Sequence, residues 1–149
     1  KSWKFGAGAT LAMFHDVMIV ISIFSIFYGI FPFSLEVDLD FIAAILTVVG
    51  YSINDTVVVY DRIREFIGRY KRRERKELIN SALNSTLGRT INTSLTTLFV
   101  LIMMFIFGGE VIRGFCFALI VGITAGTYSS LGIATPIIVD FTKEEKSEP

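Results

Sequence analysis

The chain has 149 residues, 52% of them hydrophobic, and a mean hydropathy of +0.62, which is more apolar than a soluble domain of this length needs to be. Its 14 basic and 14 acidic residues cancel, so no global basic field points to nucleic acid. The single cysteine, Cys116, lies in an apolar run; it can close no internal disulfide, has no metal-ligand spacing around it and reads as a small buried hydrophobe.

Four hydrophobic runs, at about 9–31, 39–60, 90–107 and 111–139, reach the roughly 20 residues needed to cross a bilayer. Without strict alternation, runs of this length read as helices. The expected fold is therefore all-α, a polytopic membrane bundle of four transmembrane helices. Lys1 stands first and no signal peptide precedes the first run, so we expect a piece of a longer protein.

The first run carries His15 and Asp16. Neighbours on a helix point about 100° apart, so they do not form an i,i+4 metal pair. Asp16 either faces a polar seam and pairs locally or is a secondary member of an ion relay. Pro32 and the acidic stretch from Glu36 to Asp40 form the first external turn.

The second run contains Asn54 and Asp55 among apolar residues. A carboxylate at the centre of a spanning helix costs about 2.5–3.5 kcal/mol on insertion scales, so it faces the bundle interior, pairs with a cation or titrates. Gly50 and Asn54, and Tyr51 and Asp55, form neighbouring i,i+4 stripes.

The segment 61–89 holds Arg62, Arg64, Arg69, Lys71, Arg72, Arg73, Arg75, Lys76 and Arg89, whereas 32–40 has no Lys or Arg. The positive-inside rule puts this loop and both termini in the cytoplasm. Residues 61–66 continue the second helix. Leu78, Ile79, Ala82, Leu83 and Leu87 share one face of a short amphipathic helix expected along the cytoplasmic surface. The basic residues act as a solvated connector that sets topology, or as a docking patch for anionic lipid or a partner.

The third run opens with Arg89, Thr90, Asn92, Thr93, Ser94, Thr96 and Thr97, a polar face that should look inward. Arg89 either snorkels to the interface or pairs with Asp55, which should lie at similar depth. At about 1.5 Å per residue, Asp16 and Asp55 both fall in the cytoplasmic half of the membrane. We take Asp55 as the ion-coupling residue and Arg89 as its partner, with Asp16, Asn54 and Thr93 as secondary candidates. In the fourth run Gly114, Ala118, Gly122, Gly126, Ser130 and Ala134 recur every four residues; this small-residue stripe allows close helix approach. Pro136 and the charged tail 143–149 end the membrane part.

Several blocks resemble a known family: 3–9 (WKFGAGA), His15-Asp16, 50–65 (GYSINDTVVVYDRIRE), Arg89-Thr90, 107–109 (FGG) and 126–130 (GTYSS). They are similar to the SecF family of protein-export membrane proteins, or the SecF half of a fused SecDF. The resemblance runs from Trp3 to Phe141, and the block 50–65 is its most specific part. It implies a transporter of the resistance–nodulation–division (RND) type in the cytoplasmic (inner) membrane of a bacterium. It implies an accessory subunit that uses the proton or sodium gradient to help drive late steps of protein translocation. The implied partners are SecD, the SecYEG translocon, the translocating preprotein and membrane lipid, with YidC as a further candidate. No cofactor is implied beyond the transported H⁺ or Na⁺. The family's membrane carboxylate would be Asp55 and its membrane arginine Arg89. The family has two further helices and a periplasmic domain ahead of this region, so the chain corresponds to the last four of six helices. An RND exporter of small molecules or lipids, and a structural scaffold with a static Asp55–Arg89 pair, are the rival readings. An enzyme is not expected, because there is no nucleophile–base pair, no HExxH and no second histidine.

Overall fold

The computed structural model describes residues 2–70 and 74–143. Lys1, Lys71, Arg72, Arg73 and the charged tail from 144 to 149 lie outside the described residues. The elements are α1 (Ser2–Phe27), α2 (Leu39–Arg69), α3 (Arg75–Phe107), α4 (Glu110–Gly132) and α5 (Ala134–Lys143); among the described residues there is no strand. α1, α2, α3 and the combined stretch Glu110–Val139 are each long and apolar enough to cross a membrane. Large apolar side chains such as Phe14, Leu46, Leu95, Phe99 and Phe107 face outward, whereas polar ones are buried inside. This is the distribution expected of a multi-pass membrane protein in lipid.

Turn chemistry fixes the end between α1 and α2. Gly29 takes a positive φ of 75°, which glycine adopts without strain. Phe31 stacks on Phe27 and Phe33 and meets Phe117 edge-on. Asp38 caps α2 by accepting from the Phe41 amide at 2.8 Å, satisfying a donor the helix cannot use.

The other end departs from the expected loop at 61–89. α2 has 31 residues and α3 has 33, about 46 and 50 Å at the α-helical rise, against a hydrocarbon core of about 30 Å. The two helices therefore project together beyond the membrane, and the surface helix expected over 76–87 is instead the first part of α3. Its apolar face packs on protein rather than lipid headgroups: Ile79 and Ala82 join Val59, Tyr60, Ile63 and Ile138 in one buried cluster. Gly88 alone does not break the helix, since one interior glycine costs only about 1 kcal/mol.

The fourth run is one span in two pieces. Pro136 has no amide hydrogen, and its ring crowds the carbonyl four residues earlier, at Gly132. The helix breaks at Ile133, and Thr135 Oγ1 donates to the Ser130 carbonyl at 3.3 Å. α4 lies at the centre of the bundle and packs on α1, α2 and α3. The small-residue stripe faces inward, with Ala118, Gly122, Gly126 and Ser130 of α4 and Ala134 of α5 buried and Gly114 half-buried. A Cβ on Gly122 would stand 2.2 Å from Val48 Cγ2, so the α4 backbone lies directly against α2 there.

Two apolar clusters result. One, around Val20, Phe24, Phe41, Val48 and Leu119, fills the end near the 28–38 turn. The other, around Tyr60, Ile63, Ile79 and Ile138, fills the opposite end. The buried polar residues lie between them along the chain and form the candidate site.

Candidate functional site

Each helix contributes to this polar layer through its own periodicity. On α2 the buried positions Ser52 and Thr56 are one turn apart, and on α3 Thr86, Thr90 and Ser94 follow the same spacing, which stacks them on a single face. On α4, Ser129 and Ser130 are consecutive and both fully buried. They point about 100° apart, toward different neighbours.

Asp55 is half-buried. Its Oδ1 accepts from Thr90 Oγ1 of α3 at 3.2 Å, and its Oδ2 accepts from Ser130 Oγ of α4 at 2.9 Å. Asp16 of α1 is fully buried. Its Oδ2 accepts from Ser52 Oγ of α2 at 2.6 Å and from Ser129 Oγ of α4 at 2.7 Å. Its Oδ1 lies 3.1 Å from Nδ1 of the partly exposed His15. The two serines of α4 thus serve one carboxylate each. Beside them Ser94 Oγ and Thr127 Oγ1 are 2.6 Å apart, and the Tyr51 hydroxyl donates to Ser94 Oγ at 3.4 Å. Among the described residues the buried Thr56 hydroxyl has no partner.

The expected Asp55–Arg89 ion pair is not formed. Among the described residues the ion pairs are His15–Asp16, Arg62–Glu65 and Arg69–Glu65. The reason is rotational. Thr90 occupies the α3 position turned toward Asp55, and Arg89, one residue earlier, points about 100° away. Arg89 is exposed and lines an open groove of about 400 Å³ with Asp61, Arg62, Glu65 and Ser85. Asn54 is exposed and does not join the layer. Thr93 is exposed as well, and its hydroxyl donates back to the Arg89 carbonyl at 2.8 Å. Of the secondary candidates, only Asp16 enters the layer. Ser52, Ser129 and Ser130 were missed as carboxylate partners; the signal was the buried small-residue spacing of α4 and the i,i+4 repeat of hydroxyls on α2 and α3.

This arrangement serves both protonation states of Asp55. A carboxylate only accepts, whereas a carboxylic acid also donates, and a hydroxyl can do either. Ser130 Oγ lies 2.9 Å from Asp55 Oδ2 and 3.0 Å from the Thr127 carbonyl. Its one hydrogen has two acceptors within reach. It can serve the charged carboxylate, or turn to the backbone when Asp55 is neutral.

Residues 2–144 match the family model described as "Protein export membrane protein SecD/SecF, C-terminal". The chain is 56% identical over 138 residues to the protein translocase subunit SecF of Rhodothermus marinus, covering 93% of this chain and 45% of that one. It is 47% identical over 135 residues to its counterpart in Vibrio alginolyticus, covering 91% and 41%. A crystal structure of SecDF in a super-membrane-facing form superposes with a TM-score of 0.87 at 43% identity, covering 97% of this chain and 19% of that one. SecDF from Thermus, described as a translocon-associated membrane protein, superposes with a TM-score of 0.83 at 43% identity, covering 95% and 19%. The chain spans less than half the length of these curated relatives. With a family match across nearly its whole length, close SecF relatives and the SecDF helix arrangement, the chain belongs to the SecD/SecF family of protein-export membrane proteins and corresponds to the C-terminal part of SecF.

Proposed function

We propose that the protein carrying this chain is an accessory subunit of the Sec protein-export machinery. It uses the proton or sodium gradient to help drive late steps of translocation across the cytoplasmic membrane, and Asp55 is the ion-coupling group. The relatives' name, translocase subunit, supports the export role over an exporter of small molecules or lipids. The observation that carries the coupling role is the half-buried Asp55 held between hydroxyls from α3 and α4. A charged Asp55 ties α2 to both neighbours; a neutral one releases Ser130 to the Thr127 carbonyl and loosens the α2–α4 contact. One charge crossing 100 mV supplies about 2.3 kcal/mol, enough to bias such a step more than tenfold. In this reading Arg89 takes part by moving toward Asp55 in another conformation; among the described residues the two form no ion pair. SecD, the SecYEG channel and YidC are the proposed partners. The basic ends of α2 and α3 face the cytoplasm, as do the start of α1 and the end of α5. The test is gradient-driven export by the full-length Asp55→Asn protein. Asn preserves shape but cannot cycle its charge, so stimulation by the gradient should vanish while assembly with partners is retained. Undiminished stimulation would refute the coupling role.

A further inference from the structure

The small-residue stripe of α4 leaves a problem that Asp16 answers. Gly122, Gly126 and Ala118 let α4 approach α2 closely, but such residues make no directional contact. The directional contacts of α4 come instead from its hydroxyls: Thr127 to Ser94, Ser129 to Asp16 and Ser130 to Asp55. Ser130 reaches Asp55 only at one rotation, since a neighbouring position points about 100° away.

Asp16 supplies the directional constraint at Ser129, the residue next to Ser130. It is fully buried, and one oxygen accepts from both Ser52 of α2 and Ser129 of α4, at 2.6 and 2.7 Å. Hydrogen bonds to a buried carboxylate are short, directional and about twice as strong as neutral ones. Gly126, one turn ahead of Ser130, lies beside this link: a Cβ there would stand in ordinary contact, 3.5 Å from Asp16 Oδ2 and 3.4 Å from Ser52 Cβ. Two parallel links therefore join α2 to α4. The first runs from Ser52 through Asp16 to Ser129. The second runs from Asp55 directly to Ser130, the next residue of α4.

We propose that Asp16 is a positioning residue for Asp55: by gripping Ser129 and Ser52 it sets the rotation of α4 and holds Ser130 against the Asp55 carboxylate. This inference rests on Asp55 being the ion-coupling group. Asp16 itself need not exchange an ion.

The test uses the full-length protein in its membrane complex, measuring gradient-driven export, membrane abundance and association with partner subunits. Ser129→Ala should lower gradient stimulation about tenfold, the scale of a lost hydrogen bond to a charged group, at normal abundance and assembly. Ser129→Thr, which keeps the hydroxyl, should restore it. Asp16→Asn should behave as Ser129→Ala. Should Asp16→Asn fail to accumulate, the two Ser129 variants still decide. In a Ser130→Ala background, Ser129→Ala should cost nothing further, because its effect passes through Ser130. Losses that multiply in the double variant, or full stimulation in Ser129→Ala, would overturn the proposal. An Asp55→Asn control separates the two readings. If it retains full stimulation, the coupling role itself fails; if it is inert while Ser129→Ala is normal, only the positioning role fails.

Discussion

Replacing Gly122 by alanine adds one methyl group where the α4 backbone lies directly against Val48 of α2. The new Cβ would lie 2.2 Å from Val48 Cγ2 and 2.7 Å from Cγ1. Carbon atoms rest at about 3.5–4.0 Å, so relief requires more than about 1 Å of local separation. Val48 cannot turn aside cheaply, because it is β-branched, 1% exposed and part of the buried cluster between α2 and α4. Overpacking of this kind costs about 1–3 kcal/mol. Gly126→Ala is the matched control. Its Cβ would meet nothing closer than 3.4 Å, and alanine is favoured over glycine in a helix by about 1 kcal/mol, so stability should hold or rise. The assay is thermal unfolding of the purified full-length protein in detergent. Gly122→Ala should lower the midpoint, Gly126→Ala should not, and Val48→Ala should suppress the Gly122→Ala penalty. Equal midpoints for the two glycine variants, or no suppression by Val48→Ala, would refute the packing argument.

Two further predictions follow from the ends of the helices. Asp38→Ala removes the α2 N-cap and should cost about 1 kcal/mol, read by the same unfolding assay, while Asp38→Ser should recover most of it. A single cysteine placed at Glu74 should react with a membrane-impermeant maleimide only from the cytoplasmic side, and one at Glu36 only from the opposite side; Cys116 is buried and should add little background. Reversed labelling would invert the orientation drawn from the positive-inside rule.

The spans and the inward-facing small-residue stripe of the fourth run were legible because each depends on local composition or on a single helix's periodicity. Asp55 stood out for the same reason, as a carboxylate among apolar neighbours. What was hidden depends on how helices are rotated against each other. Arg89 and Thr90 are adjacent in sequence, yet only Thr90 meets Asp55. Attraction of opposite charges favoured Arg89, and helix geometry chose the hydroxyl. Asp16 could be read as a local pair or a relay, but its grip on Ser52 and Ser129 joins positions 36 and 113 residues away, and no periodicity reports that. The basic segment misled for another reason. Its apolar face fits a membrane surface as well as it fits α2, and the tertiary contact with Tyr60 and Ile63 decided between them.

Ion flux through the reconstituted protein tests the coupling role of Asp55 most directly. The full-length protein, together with the proposed partner SecD, would be reconstituted into liposomes bearing a proton or sodium gradient, with a dye reporting the internal ion. Wild type should conduct one of the two ions down its gradient, and Asp55→Asn should conduct neither while remaining inserted and assembled. Equal flux from wild type and Asp55→Asn would contradict the assignment of Asp55 as the coupling group.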